Sequence, residues 1–170
     1  MEQTIKIPHQ RVAVLIGKKG ETKREIERRG KVKLGIKDNI VTVQGEEPFL
    51  FYKAVQVVKA IGRGFSPEKA VKLFNDTTML DIVELRDYGS TDNDFIRLRG
   101  RVIGREGKSR RKIEEKTKCD IEVFGKTISI IGDEKDIGSA KSAVDMLLRG
   151  AQHGTVYKYL DRRLKKDEHG

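Results

Sequence analysis

The sequence has few of the residues that metal, redox and acid–base chemistry requires. It contains one cysteine, Cys119, and three scattered histidines, His9, His153 and His169. A single cysteine forms neither an intramolecular disulfide nor a thiolate cluster. No His-x-x-x-His or paired-carboxylate spacing places metal ligands or an acid–base pair on one face. We therefore expect no catalytic residue, no metal and no cofactor, and we interpret Cys119 as a buried structural thiol.

Aromatic residues and long apolar runs are also scarce. There is no tryptophan and only 6% of the residues are aromatic, which disfavours recognition of bases by rows of stacked rings. No apolar run approaches the roughly 18 residues that span a bilayer. The first residues, Met1 to Thr4, lack a secretory signal pattern. We expect a cytoplasmic protein without membrane association.

Positive charge is abundant by contrast. The 170 residues include 36 Lys and Arg against 26 Asp and Glu, for a formal net charge of +10 and a pI near 9.7. Such a balance indicates a polyanionic partner, and nucleic acid is favoured over an anionic membrane.

A Gly-x-x-Gly motif occurs twice, as Gly17-Lys18-Lys19-Gly20 and as Gly104-Arg105-Glu106-Gly107. Both glycine pairs are related by a shift of 87 residues (104 − 17 and 107 − 20). The same shift aligns apolar, acidic and glycine positions without a gap. The alignment indicates one supersecondary unit used twice, each copy with its own core.

Hydrophobic periodicity predicts the same order of elements in both units. In the first, a short strand before Pro8 and a helix before Gly17 are followed by helix 21–29, strands 32–36 and 40–43, and helix 48–61. In the second, a strand at 80–85 and a helix before Gly104 are followed by helix 108–117, strands 120–124 and 127–131, and helix 134–149, with an insertion around 88–94. The predicted boundaries are 1–64 and 79–152 for the domains, 65–78 for a structured helical linker, and 153–170 for a basic amphipathic C-terminal helix.

The two loops have the chemistry of a phosphate-backbone clamp. Glycine has no Cβ, so the loop backbone can approach a sugar-phosphate chain closely, and the following helix offers unpaired N–H groups. A plain helix-turn-helix connection with glycine C-caps is the alternative, and the matched second copy weighs against it. Glu106 stands where the first loop has a lysine, so the two clamps should differ in strength. The candidate RNA-binding residues are Gly17, Lys18, Lys19, Gly20, Lys23, Arg24, Gly104, Arg105, Glu106, Gly107, Lys108, Arg110 and Arg111.

Base recognition would require an apolar groove beside each loop. We expect most candidates for that groove to be core residues and one or two per unit to contact a base. They are Ile16, Ile26, Leu34 and Ile36 in the first unit, and Ile103, Ile113, Ile121 and Val123 in the second.

A phosphate-binding NTPase loop is excluded. Gly107-Lys108-Ser109 resembles the end of that motif, but its first glycine would fall at Val102, and a helix precedes the loop where the motif needs a strand.

The succession strand, helix, Gly-x-x-Gly, helix, strand, strand, helix resembles the type I KH domain over both units. The resemblance implies an α+β fold of two tandem KH domains, each β-α-α-β-β-α with a three-stranded antiparallel sheet and three helices. In KH domains the loop clamps about four single-stranded nucleotides. Each loop should therefore contact RNA.

The segment from Ala60 to Ala70, AIGRGFSPEKA, resembles the inter-domain signature of the two-KH ribosome-assembly family that includes the eukaryotic partner-of-Nob protein. The compact chain is most similar to the archaeal members. The resemblance implies binding near the 3′ end of small-subunit rRNA, together with a PIN-domain endonuclease and other assembly or initiation factors. We expect the protein to be a monomer. Eukaryotic members have a degenerate first Gly-x-x-Gly, whereas Gly17 and Gly20 are intact here, so both units are expected to bind RNA.

Two further functions stay open from the sequence. One is a general RNA-binding adaptor of an RNA-degrading or processing complex without a ribosomal role, and the other is binding of single-stranded DNA. For the basic C-terminal helix, protein docking or a solvated end is favoured over direct RNA contact.

Overall fold

The computed structural model describes residues 1–169, and the side chains of residues 1–167. The chain divides into two compact units, Met1–Leu80 and Asp81 onward. Each unit has a three-stranded antiparallel sheet with helices packed on it, which confirms the predicted α+β class and the tandem repeat.

The first unit follows the predicted order of elements. They are β1 (Glu2–Lys6), α1 (His9–Ile16), a 3₁₀ turn (Lys18–Gly20), α2 (Glu21–Gly30), β2 (Val32–Lys37), β3 (Ile40–Gly45), α3 (Pro48–Gly62), the single-turn helix α4 (Pro67–Ala70) and a second 3₁₀ turn (Val71–Phe74). Strand β3 lies between β1 and β2. The strand that follows α2, which is β2, is therefore an edge strand of the sheet.

Alternating apolar residues of the strands form one wall of the first core. Ile5 faces Val41 across β1 and β3, and Leu34 faces Val43 across β2 and β3. All four are buried, as are Ile26 on α2 and an apolar stripe of α3 formed by Ala54, Val55, Val58 and Ile61. Burying that stripe against the sheet is the main source of stability for an amphipathic helix of this kind.

The second unit repeats the plan. It comprises β4 (Thr78–Glu84), a 3₁₀ turn (Leu85–Asp87), α5 (Asp92–Ile103), a 3₁₀ turn (Arg105–Gly107), α6 (Lys108–Thr117), β5 (Asp120–Phe124), β6 (Thr127–Asp133), α7 (Ile137–Leu148) and α8 (His153–His169). Strand β6 is central between β4 and β5. The unit boundary falls within β4.

Two local differences from prediction have simple causes. Helix α7 begins at Ile137 and not at residue 134, because Asp133 holds a turn there, accepting the Lys135 N–H at 3.1 Å. The insertion predicted around 88–94 ends earlier, because α5 begins at Asp92 after a capping box in which Thr91 and Asp94 each accept the other's backbone N–H.

The structure extends the repeat beyond the third helix. Arg11 on α1 donates from Nε to the Ile61 carbonyl and from Nη2 to the Phe65 carbonyl, both at 2.8 Å. In the second unit, Arg101 on α5 donates to the carbonyls of Leu147 (2.6 Å) and Ala151. Each arginine anchors the turn that leads from the third helix into a fourth.

That fourth helix is α4 with its 3₁₀ turn in the first unit and α8 in the second. Ala70 and Leu73 are buried in the first unit, and Val156 and Leu160 in the second. Lys116 on α6 pairs with Asp161 on α8 at 2.6 Å. Each fourth helix thus packs within its own unit. The division into segments 1–64, 65–78, 79–152 and 153–170 stays a prediction from the sequence.

Within the described residues, no helix combines the length and apolarity needed to cross a membrane. The same part of the chain holds no cluster of three or more histidine, cysteine or acidic side chains with metal-binding geometry.

Candidate nucleic-acid interface

The two Gly-x-x-Gly loops have the same backbone conformation. Gly17 has φ 75° and ψ 173°, and Gly104 has φ 73° and ψ 176°. The last glycines, Gly20 and Gly107, are left-handed with φ 76° and 74°. The residue before each last glycine is left-handed as well, at φ 54° for Lys19 and 55° for Glu106.

Short backbone hydrogen bonds close each loop. Gly17 N donates to Ala13 O (2.9 Å) and Gly20 N to Gly17 O (3.1 Å), with matching bonds of 2.8 Å and 3.2 Å around Gly104 and Gly107. Among the described residues, no side chain caps the N-terminus of α2 or α6, the helices that follow the loops. The N–H groups of Glu21 and Lys108, the first residues of these helices, donate to the carbonyls of Lys18 and Arg105. The positive end of each helix dipole favours an anion at the loop.

The charged residues at the loops fall into two groups, those exposed at the loop tips and those that contact the loop from the following helix. Lys18, Lys19 and Arg105 are exposed at the loop tips. Arg111 reaches back along its helix and donates to the Glu106 carbonyl at 2.8 Å. Arg24 places its guanidinium in the same way beside Gly20. These two arginines support the loop as well as adding charge.

Lys23 and Arg110 have carboxylate partners on their own helices. Lys23 lies 3.8 Å from Glu27, and Arg110 lies 3.7 Å from Glu114. The same glutamates accept a backbone N–H of the following edge strand, that of Leu34 at 3.0 Å in β2 and that of Ile121 at 2.9 Å in β5. The glutamates thereby hold α2 against β2 and α6 against β5.

Burial reduces the eight candidate groove residues to four. Ile26, Leu34, Ile113 and Ile121 are at most 2% exposed and belong to the core. The accessible residues are Ile16, Ile36, Ile103 and Val123. They form two matching pairs under the shift of 87, so each unit has two accessible apolar positions beside its loop.

The second loop is bordered by three residues that the sequence reasoning missed. Lys112 on α6 and His153 and Tyr157 on α8 line a cavity together with Gly104 and Arg105. The Lys112 ammonium lies 4.6 Å from the centre of the Tyr157 ring. An alignment of α8 with α4 was the signal in the sequence that could have located the two residues on α8. That alignment needs a shift of 86 residues, whereas the loops are aligned by a shift of 87.

Cys119 is buried, as predicted. Its side chain is 2% exposed, and burial raises the pKa of the thiol to about 11. A thiol that stays protonated is a poor nucleophile, so this residue has a packing role.

Fold and loops together define a protein of two tandem type I KH domains. Residues 79–165 match the family model of the second KH domain of PNO1, which is described as "Eukaryotic type KH-domain (KH-domain type I)". Residues 2–60 match the general KH domain family. The first match includes most of α8.

Relatives extend the similarity over nearly the whole chain. A KH domain-containing protein of Methanocaldococcus jannaschii is 48% identical over 96% of this chain and 74% of its own length. The pre-rRNA-processing protein PNO1 of Chaetomium thermophilum is 29% identical over 76% of this chain, which spans about half (52%) of that longer protein.

Solved structures agree with this assignment. Dim2p from Pyrococcus horikoshii superposes with a TM-score of 0.89 at 46% identity, covering 95% of this chain and 99% of that one. A chain in the a/eIF2α–aDim2p–rRNA complex from the same organism gives a TM-score of 0.90 at 46% identity, covering 98% and 95%. The chain belongs to the archaeal family of KH domain-containing proteins homologous to PNO1 and Dim2p.

Proposed function

We propose that this protein binds single-stranded RNA through both Gly-x-x-Gly loops, and that its RNA is the 3′ region of small-subunit rRNA during ribosome assembly and pre-rRNA processing. The observation that carries the proposal is the matched backbone of the two loops, each leading into an uncapped helix N-terminus. The names of the relatives support the choice of RNA, since one is a pre-rRNA-processing protein and another is in a complex with rRNA.

The mechanism follows from the positions of the groups. The loop backbone approaches the phosphates, Lys18 and Lys19 or Arg105 neutralise them, and the strand passes along the edge strand beside the helix. Bases contact Ile16 and Ile36 in the first unit, and Ile103 and Val123 in the second. The protein acts by binding and not by catalysis.

The first unit should bind phosphate more strongly at its loop than the second does. Its loop carries Lys18 and Lys19, whereas the second carries Arg105 and Glu106. We further propose that the protein acts in the cytoplasm as a monomer, with a PIN-domain endonuclease and other assembly or initiation factors as partners.

Charge reversal at the loop tips tests RNA binding. Lys18→Asp/Lys19→Asp and, separately, Arg105→Asp/Glu106→Asp should weaken binding of an oligoribonucleotide from the rRNA 3′ region by about tenfold or more, a loss of about 1.4 kcal/mol. Thermal unfolding should stay nearly unchanged, because the side chains are exposed and Asp is well tolerated in the left-handed region. Fluorescence anisotropy measures the affinity.

Lys135→Asp/Lys166→Asp is the matched control, because it makes the same charge change as the first variant at two exposed lysines away from the loops. Unchanged affinity in both loop variants would refute the clamp. Sedimentation of cell extracts tests the ribosomal role, since an assembly factor travels with immature small subunits. Its absence from those fractions would favour the RNA-processing adaptor.

A further inference from the structure

A cavity of about 340 Å³ lies beside the second loop, between α6 and α8. The loop contributes Arg105, α6 contributes Lys108, Ser109 and Lys112, and α8 contributes Tyr157. Its size falls in the range of about 300–1,000 Å³ that small-ligand sites occupy. The KH topology alone does not supply this cavity, because one of its walls is the fourth helix of the unit.

The cavity is on the other side of α6 from the apolar groove. Arg110 and Glu114 face the edge strand β5, since Glu114 accepts the Ile121 N–H. Lys108 and Lys112 lie two positions before them on the helix, and side chains two positions apart point in directions about 160° apart. Lys108, which the sequence predicted as an RNA-binding residue next to the loop, therefore lies with Lys112 on a charged face of α6 away from the apolar groove.

Two features suit this cavity to an anion. Lys108, Lys112 and Arg105 are among its lining residues, and no carboxylate is among them in the described part of the chain. Lys108 and Ser109, at the positive end of the α6 dipole, also line it. Tyr157, whose ring lies 4.6 Å from the Lys112 ammonium, forms one wall.

Ser109 provides an independent indication of a ligand. The residue is 1% exposed, and its Oγ has no hydrogen-bond partner among the described residues. Leaving a buried hydroxyl unsatisfied costs about 1–3 kcal/mol. A phosphate oxygen in the cavity would accept a hydrogen bond from this hydroxyl and remove that cost.

The first unit supplies a comparison within the same chain. Its cavity at the corresponding place, between α2 and α4, is lined by Glu21 and Glu25 where the second unit has Lys108 and Lys112. Glu27 and Glu68 line it as well, against two arginines. The two units have matching loops but opposite charge on this side of the helix.

We propose that the cavity of the second unit binds a phosphate of the same RNA strand, beyond the nucleotides held by the loop. The strand passes over the Gly104–Gly107 loop and places this phosphate against Lys108, Lys112 and the Ser109 hydroxyl, at the positive end of the α6 dipole. The first unit binds no phosphate at the corresponding place. This inference rests on the proposed RNA-binding function and adds a second contact to it.

Exchange of residues between the units tests the proposal in the full-length chain. Lys108→Glu/Lys112→Glu introduces the residues that stand at these positions in the first unit, and Glu in the first turn favours a helix, so the fold is retained. All chains compared also carry Lys18→Asp/Lys19→Asp, so that RNA binding reports the second unit, and affinity is measured for single-stranded RNA of four and of eight nucleotides. Lys135→Glu/Lys166→Glu makes the same charge change at exposed positions elsewhere.

The variant should bind the eight-nucleotide RNA about tenfold more weakly, relative to the control, and the four-nucleotide RNA equally well. The slope of log K against log salt for the longer RNA should fall by about 0.7 for the lost phosphate. Ser109→Ala should also weaken binding of the longer RNA while leaving thermal stability equal or higher. The proposal would be overturned if Lys108→Glu/Lys112→Glu gained as much affinity as the control when the RNA is lengthened from four to eight nucleotides.

Two further outcomes are informative. Inorganic phosphate that shifts the Ser109 amide signal as strongly as the RNA does, at the same concentration, would assign the cavity to a free anion and overturn its assignment to RNA. Failure of the loop clamp gives a different result: in the chain with Lys18→Asp/Lys19→Asp, adding Arg105→Asp/Glu106→Asp would then leave binding of the four-nucleotide RNA unchanged.

Discussion

Replacing the first glycine of either loop by alanine should lower the free energy of unfolding of its unit strongly, whereas the same change at the second glycine should lower it only slightly. Gly104 has φ 73° and ψ 176°, a region that side-chain-bearing residues avoid. A Cβ there would lie 2.8 Å from the backbone nitrogen of Ser109, which cannot move without displacing α6. Gly107 is in the left-handed region, and its Cβ would meet only the end of the Arg111 side chain, at 2.9 Å.

The backbone strain at Gly104 corresponds to about 1–3 kcal/mol, and the contact with Ser109 adds to it. The strain at Gly107 is about 1–2 kcal/mol, and the arginine can move away. We therefore expect Gly104→Ala to lower the free energy of unfolding by about 3 kcal/mol and Gly107→Ala by about 1 kcal/mol. Loss of RNA binding in Gly104→Ala would then reflect the fold as well as recognition.

Urea unfolding followed by amide NMR signals of the second unit measures both variants, because it separates that unit from the first. Gly17→Ala and Gly20→Ala should repeat the difference in the first unit, where the Cβ of residue 17 would meet the backbone nitrogen of Thr22 at 2.8 Å. Equal destabilisation by the first and second glycine variants would refute the reasoning.

Three further predictions concern the second unit. Glu114→Ala removes the acceptor for an N–H of β5 and should destabilise the unit by about 1–3 kcal/mol in urea unfolding, whereas the exposed Glu115→Ala should change it by less than about 0.5 kcal/mol; similar effects would contradict the role of Glu114. Cys119 should react with iodoacetamide only after unfolding, because burial raises its pKa to about 11, and rapid labelling of the native protein would contradict this. Backbone N–H groups ahead of α5 lower the pKa of Asp94 from 3.8 to about 2, so its stabilisation is present above pH 3.8 and is lost as the pH falls towards 2. Asp94→Asn should reduce that acid sensitivity in urea unfolding, and an unchanged pH profile would refute it.

The loops and most elements could be predicted because their signals are local. Helix α6 and strand β5 have the predicted boundaries, since glycines and turn residues flank a clear periodic pattern. The shift of 87 residues aligned both loops for the same reason. The buried Ile26 and Ile113 also follow from helical spacing.

The role of the fourth helix could not be predicted from local pattern. The turns after the third helices, at Gly64 and Gly150, are related by a shift of 86, so the repeat loses its register there. Arg11 and Arg101, which anchor these turns, act over about 50 residues of chain. Without that long-range contact, α8 is only a basic amphipathic tail.

The cavity beside Lys108 could not be predicted for a related reason. The place of this lysine directly after the loop predicted a contact with RNA at the clamp, and the structure adds that the lysine lines a cavity together with residues of α8. Only the three-dimensional position of α8 shows that a second charged surface exists.

An NMR titration of the ¹⁵N-labelled chain with a single-stranded oligoribonucleotide tests the central claim most directly. The amide signals of Gly17, Gly20, Gly104 and Gly107 should shift as RNA is added, and the shifts should weaken as salt rises. Binding of the RNA with all four signals unmoved would contradict the claim that these loops hold it.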